Sequence, residues 1–263
     1  MIEKASLFRK LHAGPRILVL PNAWDVASAR IFEAAGFPAI ATTSAGVANS
    51  LGFPDGQHVS RDEMLQVIRR IVQAVSVPVS ADVEAGYGDP VGTAQALTDL
   101  GAAGFNLEDK VGDGAPSIAD LAAQTKVIEA MRSKTDLVIN ARTDLFLLSD
   151  GDPATRVDRA IERLNAYRKA GADCLFAPGV RDVETIARLA QSVTGPLNIL
   201  AVAGTPPAAE LERLGVARVT IGSGAMRTTM ALTQRIAREL KEQGTFSFTE
   251  SNMPSAEANQ LFR

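Results

Sequence analysis

One cysteine and two histidines among 263 residues set the first limits. Cys174 has no second cysteine to pair with, which excludes an internal disulfide framework and any cysteine-based zinc cluster. A reducing, cytoplasmic setting is the default expectation. Long hydrophobic runs are also missing: no stretch approaches the ~20 apolar residues that span a bilayer. Met1-Ile2-Glu3-Lys4 carries an acid and leads into no apolar run of signal-peptide length. Neither sign of charge dominates. The net charge is −3 and the Lys and Arg residues are scattered, unlike the basic footprint of a nucleic-acid binder. Membrane and nucleic acid are therefore not expected partners.

What is present is a rhythm. The chain is 46% hydrophobic, and short β-branched runs alternate with longer Ala- and Leu-rich amphipathic segments. Strands are predicted at 17–20, 39–42, 77–81, 104–107, 137–140, 174–177, 197–202 and 218–221. Helices are predicted at 23–35, 61–75, 91–100, 118–132, 153–170, 183–192, 207–214 and 225–242. Apolar strands separated by helices indicate a parallel sheet covered by helices. Gly36, Gly101, Gly171 and Gly215 each close a helix just before a strand, where glycine supplies the left-handed residue that ends a helix. Eight such units fit a (β/α)₈ TIM barrel. A doubly wound open sheet is the other arrangement, but no Gly-x-Gly-x-x-Gly follows the first strand. No Pro/Gly/Ser-rich linker divides residues 1–243, so one catalytic domain is expected. The polar tail, 244–263, is expected to pack on the barrel or on a neighbouring subunit.

In such a barrel the chemistry sits at the C-terminal ends of the strands. Those ends carry Thr43-Ser44-Ala45-Gly46, Asp82-Val83-Glu84, Glu108-Asp109-Lys110, Asn140-Ala141-Arg142-Thr143-Asp144 and Asn198. Asp82 and Glu84 are two apart, so an extended strand points both side chains one way. Two converging carboxylates repel unless a cation joins them. Oxygen ligands without a His or Cys cluster suit Mg²⁺, with Mn²⁺ as the alternative. The competing reading is a pair of solvated loop carboxylates. Arg142 follows an apolar strand and suits bidentate capture of a carboxylate, or else an internal salt bridge to Asp144 or Glu108. His12 and His58 read as surface residues and Cys174 as a buried small hydrophobe. Trp24 reads as core packing or as a pocket wall.

The ordered set resembles the isocitrate lyase/phosphoenolpyruvate mutase superfamily. It runs through Pro21-Asn22-Ala23-Trp24-Asp25, Ala29-Arg30, the 43–46 turn, Gly52-Phe53-Pro54-Asp55, the stretch 82–88, Glu108-Asp109-Lys110 and Ala141-Arg142-Thr143-Asp144. The later half matches less sharply, through Asn198 and residues 222–227. The resemblance implies that Asp82 ligates Mg²⁺ directly, while Asp55, Glu84 and Glu108 hold metal-bound waters. It implies that Ser44, Ala45 and Gly46 bind the 2-oxo acid moiety, that Arg142 and Asn198 grip carboxylate, and that Trp24 lines the pocket. The expected metal set is thus Asp82, Glu84 and Glu108, and the expected catalytic set Asp55, Glu108, Lys110 and Arg142. The resemblance also implies a homo-oligomer, a dimer or tetramer, with the C-terminal helix exchanged between subunits.

One departure bears on the reaction. Lyases of this superfamily carry Lys-Lys/Arg-Cys-Gly-His on a loop after the fourth strand, with the Cys as general acid. This chain has Lys110-Val111-Gly112-Asp113-Gly114-Ala115-Pro116-Ser117 there. The Pro-Lys-x-Asn pattern of the phosphonopyruvate-handling members is missing as well. The expectation is a Mg²⁺-dependent lyase that acts on a small 2-oxo acid or 2-hydroxy dicarboxylate through a stabilised enolate. P–C bond chemistry and non-catalytic binding of a 2-oxo acid are the alternatives.

Overall fold

A computed structural model describes residues 2–112 and 116–263. In chain order the elements are α1 (Ile2–His12), β1 (Leu18–Leu20), β2 (Asn22–Ala23), α2 (Val26–Ala34), β3 (Ile40–Thr42) and α3 (Ser44–Ser50). Next come α4 (Arg61–Ala74), β4 (Val79–Asp82), α5 (Pro90–Leu100), β5 (Gly104–Glu108) and a short hairpin, β6 (Lys110–Val111) with β7 (Ser117–Ile118). The second half is α6 (Leu121–Arg132), β8 (Val138–Arg142), α7 (Pro153–Lys169), β9 (Cys174–Phe176), α8 (Val183–Ser192), β10 (Leu197–Leu200), α9 (Ala208–Arg213), β11 (Arg218–Thr220) and α10 (Gly224–Glu242). The tail forms a 3₁₀ turn (Ser247–Ser251) and α11 (Ser255–Gln260).

The parallel sheet runs β1-β11-β10-β9-β8-β5-β4-β3-β2. Its two ends are halves of one segment, residues 18–23, broken at Pro21. Leu18 pairs with Arg218 and Asn22 with Ala41, so the nine pieces close into eight barrel positions. Proline has no N–H to donate, but its carbonyl still accepts from Ala41 at 2.8 Å. Asn22 clasps both seams. Its Oδ1 accepts from the N–H groups of Ile221 and Gly222, both at 2.9 Å, and its Nδ2 donates to the Thr42 carbonyl at 2.8 Å. The predicted eightfold barrel is therefore the observed fold.

Helix starts are fixed by side-chain caps at Asp25, Ser60, Asp89, Asp120, Asp152 and Asp182, each worth on the order of 1 kcal/mol. The capping role of Asp25 moves the first predicted helix start from 23 to Val26. The four helix-closing glycines lie at φ between 86° and 113°, as the sequence predicts.

Two apolar clusters hold the barrel. The larger fills the space between sheet and helices; the smaller lies inside, where Phe8 packs with Leu18, Leu20, Ala39, Ala41, Ala103 and Val138. Helix α1 thus plugs the lower end. This corrects the surface reading of His12, which is buried against Phe8, their rings edge to face at 4.6 Å. Above the plug lies a buried polar layer of Asn106, Asn140, Asn198 and Arg218. No described helix is long and apolar enough to cross a membrane. In the tail, Glu257, Gln260 and Leu261 share a surface cavity with Arg30, Glu33 and Ala34 of α2.

Candidate active site

A cavity of about 210 Å³ opens at the C-terminal mouth of the barrel. Seven of the residues picked out by sequence line it together: Ser44, Ala45, Asp55 from the loop before α4, Asp82, Glu108, Lys110 and Arg142. Asn22, Asn106, Phe176, Leu200 and Thr220 are also among its walls. A larger cleft of about 360 Å³ beside α1 and the end of α6 contains one carboxylate, Asp136. The ionisable groups converge at the mouth instead.

Asp82 ends β4 and is held by three donors. Its Oδ2 accepts from the Ser44 N–H at 2.9 Å and the Ser44 hydroxyl at 2.8 Å, and its Oδ1 from Asn106 at 3.3 Å. Glu84 lies beyond the strand end in the left-handed region, φ 50°, so simple strand alternation does not place it. Its Oε1 accepts from the Gln57 N–H and the Tyr87 hydroxyl, both at 3.1 Å. Its Oε2 is buried without a hydrogen-bond partner. Burial, then the charges of Asp82 and Asp55, raise the Glu84 carboxyl to about 7. Asp55 is also raised, by desolvation and by Asp82.

Arg142 is fastened on two sides. It forms a bidentate pair with Asp144 at 2.5 and 3.1 Å, meets Glu108 at 2.6 Å and lies over the Phe176 ring. The internal salt bridge read as an alternative from sequence is therefore present, and Arg142 lines the cavity as well. Burial works against its charge, but Glu108 and Asp144 outweigh burial and hold the guanidinium above its ordinary value. Glu108 is fully buried, which pushes its carboxyl up against the pull of Arg142. Its Oε2 has no hydrogen-bond partner and lies 3.9 Å from the Lys110 ammonium.

Other assigned residues fall elsewhere. Trp24 lines a separate groove with Met226 and Met230 of α10. Asn198 sits in the polar layer below the mouth, accepting from the Thr220 hydroxyl at 3.4 Å. Gly46 donates its N–H to Thr43 Oγ1, and a Cβ there would meet Thr43 Cγ2 at 2.5 Å, so packing demands glycine. Asp109 faces away from the mouth, accepting from Arg163, Tyr167 and the Asp144 N–H. Cys174 is buried and its thiol is pushed up to about 11 by burial. In the loop 111–117, residues 113–115 lie outside the described residues.

The sequence reading missed Asn106, which alternation from Glu108 would have aimed at the same face. It also missed Gln57 and Tyr87, whose contacts with Glu84 depend on the path of a loop.

Five carboxylates, Asp55, Asp82, Glu84, Glu108 and Asp144, thus gather around two cations, Arg142 and Lys110. Fully ionised, the group carries three excess negative charges. Such a set relaxes by protonation, as the raised Glu84 suggests, or by taking a cation. No group of three described His, Cys, Asp or Glu side chains is arranged to hold an ion directly. That excludes an all-protein cage among the described residues. Asp82, Glu84 and Glu108 are therefore not placed to ligate one ion together, and Mg²⁺, which keeps several waters, would need only one or two of them directly. The unpartnered Oε2 atoms of Glu84 and Glu108 are ready acceptors for such waters.

Comparison with known proteins gives consistent matches. A family model described as phosphoenolpyruvate phosphomutase matches residues 8–241. An uncharacterized protein of Mycobacterium tuberculosis is 37% identical over 219 residues, covering 82% of this chain and 81% of that protein. The 2-methylisocitrate lyase of Halalkalibacterium halodurans is 29% identical over 257 residues, 92% of this chain and 84% of that enzyme. A crystal structure of a Burkholderia cenocepacia protein described as a lyase/mutase superposes with a TM-score of 0.92 at 37% identity, covering 99% of this chain and 96% of that one.

Proposed function

The chain belongs to the phosphoenolpyruvate mutase family of the isocitrate lyase/phosphoenolpyruvate mutase superfamily, and from this membership we propose that it is a Mg²⁺-dependent carbon–carbon lyase. Its substrate is a small 2-oxo acid or 2-hydroxy dicarboxylate, cleaved by way of an enolate. The observation that carries this reading is the excess of buried carboxylate at the mouth, with two unpartnered oxygens, beside a fastened arginine.

Asp82 would hold the metal, with Glu84 and Glu108 accepting from its waters. When bound, Mg²⁺ supplies Lewis-acid stabilisation of negative charge developing on the substrate, a contribution of several kcal/mol. The remaining work falls to the chain. Arg142, fixed between Glu108 and Asp144, places a permanent positive charge in the cavity wall for a substrate carboxylate. Ser44 keeps the Asp82 carboxylate in one orientation. In decarboxylation, the bond to the departing carboxylate breaks and its electron pair forms the enolate. The enolate carbon then collects a proton from Lys110 or water. No protein acid is needed for the bond to break.

Cleavage of isocitrate or 2-methylisocitrate asks for more. The loop after β5 has no cysteine, and Cys174 is buried in β9 with an un-ionised thiol. A positioned general acid is worth roughly 10²–10⁴ in rate, so these substrates should turn over at trace level.

The test is a Mg²⁺-dependent screen of oxaloacetate, dimethylmalate, phosphonopyruvate and 2-methylisocitrate. Expected is turnover of an oxaloacetate-like acid that falls by about 10²-fold or more in Asp82→Ala. Tight Mg²⁺-dependent binding of oxalate without turnover of any candidate would mean a binder, not a lyase.

A further inference from the structure

Four described residues other than glycine have left-handed backbone, and three of them interlock beside the acidic mouth. They are Gln57 at φ 62°, Glu84 at φ 50° and Tyr87 at φ 55°. Such conformations are costly for residues with a Cβ and persist only where surrounding contacts enforce them. Here the contacts are mutual. The Gln57 N–H and the Tyr87 hydroxyl both donate to Glu84 Oε1, and the Tyr87 N–H donates to the Gln57 side-chain carbonyl at 2.7 Å. Glu84 is fixed at its backbone too, its carbonyl accepting from the Glu108 N–H at 2.9 Å.

Two consequences follow from this triangle. One oxygen of Glu84 is fully used, so the buried, unpartnered Oε2 is what remains for the acidic cluster. Gln57 also stands two residues from Asp55, which lines the cavity, so the loop carrying Asp55 is tied to the end of β4 through Glu84.

We propose that Gln57 and Tyr87 are positioning residues that lock Glu84 to the Asp55 loop, so that a divalent cation at the acidic cluster also orders residues 53–59. This rests on the Mg²⁺ reading above. A cation that engages Glu84 favours the locked arrangement over any other. By linkage, the lock must favour the cation to the same degree. Neither side chain need touch the substrate or the ion.

The test uses the full-length protein with and without MgCl₂, measuring Mg²⁺ affinity by calorimetry and amide hydrogen exchange at residues 53–59. In the wild type, Mg²⁺ should slow exchange in this loop. Tyr87→Phe removes one hydrogen bond to a charged group and should weaken Mg²⁺ binding by about tenfold. Gln57→Ala frees the Tyr87 N–H but keeps the Gln57 backbone bond to Glu84, so it should reduce the protection of the loop by Mg²⁺. Neither variant should shift exchange in the strands, which separates positioning from a general loss of structure. Wild-type protein that binds Mg²⁺ with no change in loop exchange overturns the inference alone, as do variants that keep full protection. A wild type that binds no Mg²⁺ overturns the metal reading, and the inference with it.

Discussion

His12 shows how far one residue's setting can depart from its composition. Burial, then the charge of Arg218, lower it from 6.5 to about 4, while its Nδ1 sits 2.8 Å from the Phe8 carbonyl and donates to it in the neutral ring. The unfolded chain takes up a proton near pH 6.5 and the folded one only near 4. The associated stability is therefore complete above about 6.5, declines as pH falls through that window, and is lost below about 4. The total is about 3 kcal/mol. Denaturant midpoints of wild type and His12→Gln should converge as pH drops from 7 to 4; a gap that stays constant would refute this. Asp82, Glu108 and Arg142 were legible because each ends a strand whose apolar run announces it, and Ser44 because it opens the turn just after one. His12, Gln57 and Tyr87 were not, because their surroundings are assembled from distant segments and leave no local pattern.

Among elements, the eight barrel strands and the eight principal helices could be read from period and punctuation, whereas α1, α3, the β6–β7 hairpin, α11 and the break at Pro21 could not. The 11-residue α1 has five charged or titratable side chains and only a weak apolar stripe, so its role appears only once Phe8 enters the barrel. Gly104 records that docking. A Cβ there would lie 2.9 Å from Phe8 Cε1 and 2.7 Å from the Val138 carbonyl. Gly104→Ala should cost roughly 1–3 kcal/mol by overpacking. In a Phe8→Leu background the added cost should be smaller, since the two sites share one contact. Strict additivity in denaturant titrations would show that Phe8 is not what Gly104 accommodates.

For the whole molecule, α10 is the outlying fact. Of its 19 residues only Met226 is buried, and Met230, Leu232 and Leu240 stand exposed, as do Phe246, Met253 and Phe262 in the tail. Apolar surface left so open is commonly covered by a partner. Light scattering should give a multiple of 27.8 kDa, and Met230→Glu with Phe246→Glu should reduce it. A wild-type monomer at micromolar concentration would overturn the expected assembly. The barrel also carries a clock. Cys174 is the sole thiol, sealed within β9 and un-ionised, so an alkylating reagent in solution meets it only when the strands part. Labelling of the native protein should therefore follow the population of the opened barrel and rise with reagent while reclosing is fast, levelling off at the opening rate only when alkylation outpaces reclosing. Any molecule that settles in the mouth should slow that reaction, so a mass spectrometer can search for ligands without knowing the chemistry they undergo.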